Sequence, residues 1–198
     1  MPSALSHPVP ALPDMPVDGP ITGAVLAATL ARTLPEGAIV AYEGLTSAVE
    51  TVRLTAGAPR HDWMMTSGGA IGIGTAMALG AAIACPDRKI VCVQADGCGM
   101  YTLQALWTMA RERAEVLVVI CANRRYAILE GEMANLGFNH IGHNARQMMS
   151  LSDPAIDWIK ARETASGSRR PGRIRAGTRR PPPCRISRHG PFLIEAVL

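Results

Sequence analysis

Aromatic residues are scarce in this chain of 198 residues: Phe, Tyr and Trp together make up 4%. A core must therefore be filled by Ala, Val, Ile, Leu and Met, a usage suited to α/β layers, where small side chains let helices lie close on a sheet. Charge is thin as well, 18% against 48% hydrophobic, which excludes a chain disordered throughout. There is no CxxC pair, and five cysteines are an odd number, so neither a disulfide framework nor a zinc ribbon is expected. No apolar run reaches a membrane span; the one that comes nearest, residues 71–85, is short, rich in small residues and without flanking anchors. The first twenty residues hold no Lys or Arg ahead of an apolar stretch and so lack the build of a secretory signal. A cytoplasmic protein of one globular domain with tails is expected.

Acidic residues are nearly missing from one stretch. Residues 161–190 carry nine arginines and one glutamate, a balance of +8 inside a chain of net +4, so the remainder carries −4. The basic character belongs to that segment alone. It has no hydrophobic period, yet it separates two segments of ordinary α/β pattern. Its mixture of Arg, Pro, Gly, Ala and Ser is what GC-rich coding DNA yields out of frame. We read it as a displaced reading frame restored at Pro191; resequencing the gene and finding one uninterrupted frame would refute this. The alternative, an Arg-rich arm that neutralises phosphates, lacks interleaved aromatics for base stacking, so a nucleic-acid partner is not expected. The chain thus divides into a Pro-rich leader or linker at 1–19, a folded domain at 20–160, the anomalous segment at 161–190 and a final strand at 191–198.

Within the domain, Ile21, Val25, Leu26, Leu30 and Leu34 follow Pro20 at helical spacing, with Asp18 or Gly19 placed as the cap and Pro35 and Gly37 as the stop. Residues 38–42 form a short buried strand and 63–66 a second. Residues 67–84 start as a glycine turn and continue as a helix of small residues. Two continuous apolar runs, 89–95 and 115–122, flank an amphipathic helix at 101–113 whose apolar face is Leu103, Leu106, Trp107 and Ala110. Helices are also expected at 126–136 and 155–160. Strand, helix, strand with a crossover of this length means a parallel sheet, and the fold class is α/β, an open parallel sheet with helices on both faces. Ligands of such sheets sit at the carboxyl ends of the strands.

Two of those ends carry chemistry. Asp96 and Asn123 terminate consecutive parallel strands, 27 positions apart, so their side chains leave the same edge of the sheet. A carboxylate, an amide oxygen and one backbone carbonyl make half an octahedron around Mg²⁺ and leave room for two phosphate oxygens and a water. Gly97, Cys98 and Gly99 follow at once, where free backbone N–H groups favour an anion. A diphosphate and its metal would fit together there. Taken singly, Asp96-Gly97 also reads as a strand-ending turn and Asn123 as a cap.

Ala95-Asp96-Gly97-Cys98 and, after a gap, Ala122-Asn123-Arg124-Arg125-Tyr126 resemble the thiamine diphosphate motif, usually Gly-Asp-Gly-Ser followed near thirty residues later by Asn-Asn. Upstream, Gly68-Gly69-Ala70-Ile71-Gly72 is similar to the segment that holds the pyrimidine of that cofactor. The resemblance covers about residues 19–160 and the last strand. It is closest to the C-terminal, diphosphate-binding domain of the acetolactate synthase and benzoylformate decarboxylase group. It implies that Asp96 and Asn123 bind Mg²⁺ through their side chains and Arg125 through its carbonyl. It also implies cofactor contacts from Gly97, Cys98, Tyr126 and the turn containing Gly44 and Thr46. Ile71 would be the bulky residue under the bent cofactor, and the Gly69 carbonyl would accept from the pyrimidine amino group. Ile71 reads equally as core packing. Ala95, Cys98 and Ala122 depart from the usual Gly, Ser and Asn; a thiol donates less well than a hydroxyl, so weaker cofactor binding is expected.

In this family a glutamate that activates the pyrimidine comes from a separate N-terminal pyrimidine domain, generally of a neighbouring subunit. None of Glu43, Glu50, Glu112, Glu115, Glu130 or Glu132 takes that role on the family pattern. The resemblance therefore implies a thiamine-diphosphate- and Mg-binding domain acting on 2-keto acids by decarboxylation and carboligation. It would work only beside a pyrimidine-binding domain or subunit, in a homo- or hetero-oligomer. The alternative is a non-catalytic or truncated cofactor-binding protein. A dinucleotide fold through Gly72 and Gly74 fails, because Met77 stands at the third glycine position. His140 and His143, with His61, lack a third ordered ligand and read as polar loop residues. Met133, Met148 and Met149 fall where family members close a loop over the cofactor, or else serve as core fillers.

Overall fold

The computed structural model describes residues 10–12, 20–138, 140–166, 173–174 and 190–198. The rest of the leader and most of the Arg-rich segment lie outside the described residues. Among the described residues, six strands, β1 (Ala38–Glu43), β2 (His61–Met65), β3 (Ile90–Ala95), β4 (Val116–Ala122), β5 (Arg173–Ile174) and β6 (Phe192–Val197), form one sheet in the order β2-β1-β3-β4-β6-β5. Every neighbouring pair runs parallel. The helices are α1 (Gly23–Thr33), α2 (Glu50–Leu54), α3 (Gly74–Ala84), α4 (Asp96–Gly99), α5 (Gln104–Arg111), α6 (Ala127–Asn135), α7 (His143–Met149) and α8 (Trp158–Ser166).

The central strands read as unbroken apolar runs because both faces of the sheet are covered. Strand alternation splits them cleanly. Ile39, Ala41, Ile90, Cys92, Val118 and Ile120 face α3, α5 and α8 through Ala78, Ala81, Leu106, Met109 and Trp158. Val40, Tyr42, Val91, Val93 and Val119 face the opposite way and meet Leu26 and Leu30 of α1. The buried side of α3 is Gly74, Thr75, Ala78 and Ala81, with no large residue, which lets that helix lie close to β1 and β3.

Several local expectations need correction. The cap of α1 is Thr22, whose hydroxyl accepts from the Val25 N–H at 3.2 Å, rather than Asp18 or Gly19. Pro20 precedes the helix instead of opening it, because a side-chain oxygen at the N-cap satisfies a free N–H and proline cannot. The helix expected at 101–113 is shorter: the chain makes the α4 turn straight after β3 and a further tight turn at Met100–Thr102 before α5 begins. Trp107 is not on its buried face. Ala105, Leu106 and Met109 are buried, while Trp107 is half exposed with the Arg111 guanidinium 4.9 Å over its ring, a cation–π contact one turn on. The helix placed at 155–160 starts at Trp158, since Ala155 instead bridges to Ser152. α8 continues to Ser166 and so crosses the boundary drawn at 160, and Arg162 within it is buried. Arg173–Ile174 then pairs with β6. Among the described residues, no helix is long and apolar enough to cross a membrane.

Candidate functional site

The chain leaves β1 toward β2 on one side and returns to β3 on the other, so the sheet reverses its winding between β1 and β3. Strand tips part at such a switch point and leave a crevice beyond the sheet. Here the crevice is a cavity of about 730 Å³. It is lined by the turn after β1 (Leu45, Thr46, Ser47), the tips of β3 (Ala95 to Cys98) and β4 (Asn123, Arg125), and by α6 and α7.

Ala95 and Cys121 are register partners, so β3 and β4 leave the sheet side by side. Asp96 is buried at this point. Its Oδ1 accepts from its neighbour Gly97 N–H at 2.9 Å and its Oδ2 from the Arg124 N–H at 2.8 Å. That second bond ties the Asn123–Arg124 peptide directly to the carboxylate. Burial pushes the Asp96 carboxyl above the usual aspartate range, and the bonds from Arg124 and Gly97 pull it back in part. Asn123 is held at both ends of its amide: Nδ2 donates to Ser47 Oγ at 2.9 Å, and Oδ1 accepts from the Arg125 N–H at 3.1 Å. Arg124 sits at φ +58°, the bend that swings this segment across the strand tips. Each carboxylate and amide oxygen keeps a lone pair for a further partner.

Nine of the ten residues singled out in the sequence line this one cavity: Thr46, Gly69, Ile71, Asp96, Gly97, Cys98, Asn123, Arg125 and Tyr126. Ile71 is 45% exposed, which removes the reading of it as core packing. Gly97 lies under the Tyr126 ring, where a Cβ would stand 2.6 Å from Cε1, so only glycine allows that ring its place. Cys98 is buried; that burial, with the Glu43 and Asp96 carboxylates nearby, pushes its thiol up to about 11. Gly44 is the exception. It does not line the cavity, and a Cβ there would run against Ala48, Val93 and Tyr42, so its smallness serves packing behind the turn.

His61, His140 and His143 do not converge. His61 begins β2, at the sheet edge opposite the cavity, with Nδ1 2.7 Å from the Pro59 carbonyl. Among the described residues, no group of three or more His, Cys, Asp or Glu side chains could hold a metal. A divalent ion here would rest on one carboxylate with amide and carbonyl oxygens. Met148 and Met149 both line the cavity, the first exposed and the second buried.

Sequence reasoning places Ser47 only within the turn Gly44 to Ser47 that resembles a diphosphate contact and misses its hold on the Asn123 amide; it gives Glu43 no part in the site. Glu43 is fully buried at the end of β1, where its carboxylate accepts from the N–H groups of Gly72 and Gly74 and from Gln94 Nε2. A glutamate closing an otherwise apolar strand was the available signal.

Residues 46–173 match the family described as thiamine pyrophosphate enzyme, C-terminal TPP binding domain. A Mycobacterium tuberculosis (H37Rv) protein, IlvX, which carries an acetolactate synthase large-subunit name, is 44% identical over 131 residues. That alignment covers 66% of this chain and 25% of IlvX. The alpha-keto-acid decarboxylase of Mycobacterium avium is 41% identical over 69 residues, covering 33% of this chain and 12% of the relative. The solved structure of the Rhodococcus jostii RHA1 thiamine diphosphate-dependent 4-hydroxybenzoylformate decarboxylase superposes with a TM-score of 0.78 at 23% identity, over 99% of this chain and 36% of that one. The chain thus spans a quarter or less of the length of these curated relatives. With more than half its residues matched to that family, the chain belongs to the C-terminal TPP-binding domains of the thiamine pyrophosphate enzymes.

Proposed function

We propose that this chain supplies the diphosphate- and metal-binding half of a thiamine-diphosphate-dependent enzyme acting on 2-keto acids, acetolactate-synthase-like in type. It would be active only beside a pyrimidine-binding domain or subunit. The observation that carries the reading is the meeting of Asp96, Asn123, Arg125, Gly97, Cys98, Gly69 and Ile71 on the wall of one cavity at the switch point. The donor set fits a hard cation. Asp96 is a buried carboxylate disfavoured by its own burial, which a divalent ion would relieve, and Asn123 presents an amide oxygen already oriented by Ser47. Asp96, Asn123 and the Arg125 carbonyl would hold Mg²⁺. The Gly97 and Cys98 backbone, with Thr46, would orient the diphosphate, and Tyr126 would close one side. When bound, the cofactor supplies an electron sink for cleavage of the bond next to a 2-keto group. The chain's own part is to fix the diphosphate end and keep water from it with an apolar wall of Ile71, Ile128 and Leu129. Cytoplasmic location and assembly into a homo- or hetero-oligomer go with this reading.

Calorimetric titration of the full chain with thiamine diphosphate in Mg²⁺ buffer tests the site. Asp96→Ala should weaken binding by about 100-fold, a loss of ~2.7 kcal/mol; unchanged affinity would remove the assignment. Decarboxylation of pyruvate should appear only when a pyrimidine-domain partner is added. Intact cofactor binding with no turnover beside any such partner would instead favour a non-catalytic binding protein.

A further inference from the structure

We propose that Glu43 is a positioning residue for the cofactor cradle: its carboxylate fixes the backbone of Gly72 and Gly74 and thereby sets how Ile71 is presented to the cavity. The inference rests on the cavity being the cofactor site. Glu43 is wholly buried, and a buried carboxylate is costly unless its lone pairs are used. Three donors use them. Oε1 accepts from the Gly72 N–H, and Oε2 accepts from the Gly74 N–H and from Gln94 Nε2, each at 2.8 Å. Glutamate is the side chain of this length with two acceptor oxygens and no competing donor.

Besides Glu43, the strip from Gly69 to Gly74 is held by the Ala70 N–H bond to the Ser67 carbonyl and by Tyr101 packed against Gly72. Gly69 and Gly72 both have positive φ, at +71° and +89°, and Ile71 between them is half exposed. On the far side of the strip, Thr102 Oγ1 donates to the Gly72 carbonyl at 2.6 Å. Gly72 is therefore gripped through its N–H by Glu43 and through its C=O by Thr102, one residue beyond the side chain that lines the cavity. Gly74 is glycine for the same reason, since a Cβ there would collide with the Glu43 and Gln94 side chains. Strand β1 thus reaches the cavity through Glu43, although the carboxylate itself does not line it.

The test compares wild type with Glu43→Gln, which keeps volume but loses one acceptor, and with Gly74→Ala, which keeps the carboxylate but displaces it. Amide exchange followed by NMR on the cofactor-free chain should quicken about 10-fold or more at Gly72 or Gly74 and stay unchanged at Ile90 and Val118. In calorimetry, affinity for Mg²⁺ with thiamine diphosphate should fall about 10-fold, while affinity for Mg²⁺ with inorganic diphosphate, which reports only the Asp96 end, should hold. Unchanged glycine exchange in the variants that fold would overturn the proposal. So would an equal loss of both affinities, because that is the mark of general destabilisation. If wild type bound neither ligand, the reading of the cavity would fall, and the exchange comparison would still decide whether Glu43 holds the strip. Should Glu43→Gln not fold, the exchange rates and the two affinities of Gly74→Ala decide by the same criteria.

Discussion

The two walls of the cavity are built differently. The inner wall is the sheet edge: Asp96 and Cys98 are buried, Glu43 and Gln94 beneath them are fully buried, and the two carboxylates accept from backbone N–H groups, Glu43 also from Gln94 Nε2. The outer wall is α6 and α7. No residue of α6 is buried, and Ile128, Leu129, Leu136, Phe138 and Met148 are exposed large hydrophobics in or beside it. It is joined to the inner wall chiefly at its root, where the Tyr126 N–H donates to the Met149 carbonyl and the Leu151 N–H to the Arg124 carbonyl, both at 2.8 Å. The Asp96 and Asn123 end of the cavity is therefore prearranged by the sheet. The apolar side is left exposed among the described residues, and under the proposed function a pyrimidine-binding domain would cover it.

The sharpest way to separate the two regimes is to remove a side chain that supports the inner one. Trp158 is 1% exposed and packs against the sheet and against Gly99, where a Cβ would stand 2.6 Å from its ring. Trp158→Ala should cost about 3–5 kcal/mol, read as a fall in the urea midpoint. That is a large part of the stability of a domain this size, so a strongly lowered midpoint is the expected result. A loss under about 1 kcal/mol would mean that α8 is not part of the sheet's support.

A chemical probe asks whether the inner wall is dry. Cys98 lines the cavity, yet its thiol is pushed up to about 11, and Cys121 behind it to about 12, by burial. Two units above an ordinary thiol leaves roughly 100-fold less thiolate, the reactive form, at pH 8. Iodoacetamide should therefore modify Cys98 about 100-fold more slowly than a free cysteine thiol, with partly exposed Cys85 labelled first among the cysteines of the described residues. Rapid labelling of Cys98 would show the inner wall to be open to water.

Asp96 gives the same contrast a pH dependence. Burial raises its carboxyl above the usual range, so the folded state holds the proton more tightly than the unfolded chain does. The stabilisation is full below the ordinary aspartate value and is lost as pH rises through the raised one, by up to ~1.4 kcal/mol per unit. In metal-free buffer, the stability of wild type relative to Asp96→Asn should fall across that window. Under the proposed function Mg²⁺ would bind the ionised form and should reverse the trend, its stabilising effect growing with pH. Parallel urea curves for the two proteins at every pH would show that Asp96 carries no such linkage.

How far the sequence exposed this arrangement follows from the range of each interaction. The strands were readable because continuous Val/Ile runs bounded by turns have one meaning in a parallel sheet, and Asp96 and Asn123 because strand tips share an edge. Glu43 was passed over because its donors stand 29 and 31 residues away, on a glycine strip whose path depends on the fold. Trp107 was misplaced because Leu103, Leu106, Trp107 and Ala110 keep perfect helical spacing. The sheet takes the neighbouring stripe of Ala105, Leu106 and Met109, which leaves Trp107 outside to pair with Arg111. Gly44 is closely packed by Ala48, Val93 and Tyr42 behind its turn, a tightness only the third dimension reveals.

The smallest expected effect tests the outer wall itself. Leu129 is 50% exposed on α6 and lines the cavity without entering either core cluster. Removing a side chain already half in water forfeits little transfer free energy, and alanine is the better helix former, so the two terms nearly cancel. Leu129→Ala should shift stability by less than about 1 kcal/mol in urea melts, against the several expected for Trp158→Ala. The same substitution should weaken any complex with a pyrimidine domain, because that partner would give this surface its first burial. A large loss of stability in the isolated chain would show that α6 is already packed, and the division between a finished inner wall and an unfinished outer one would no longer hold.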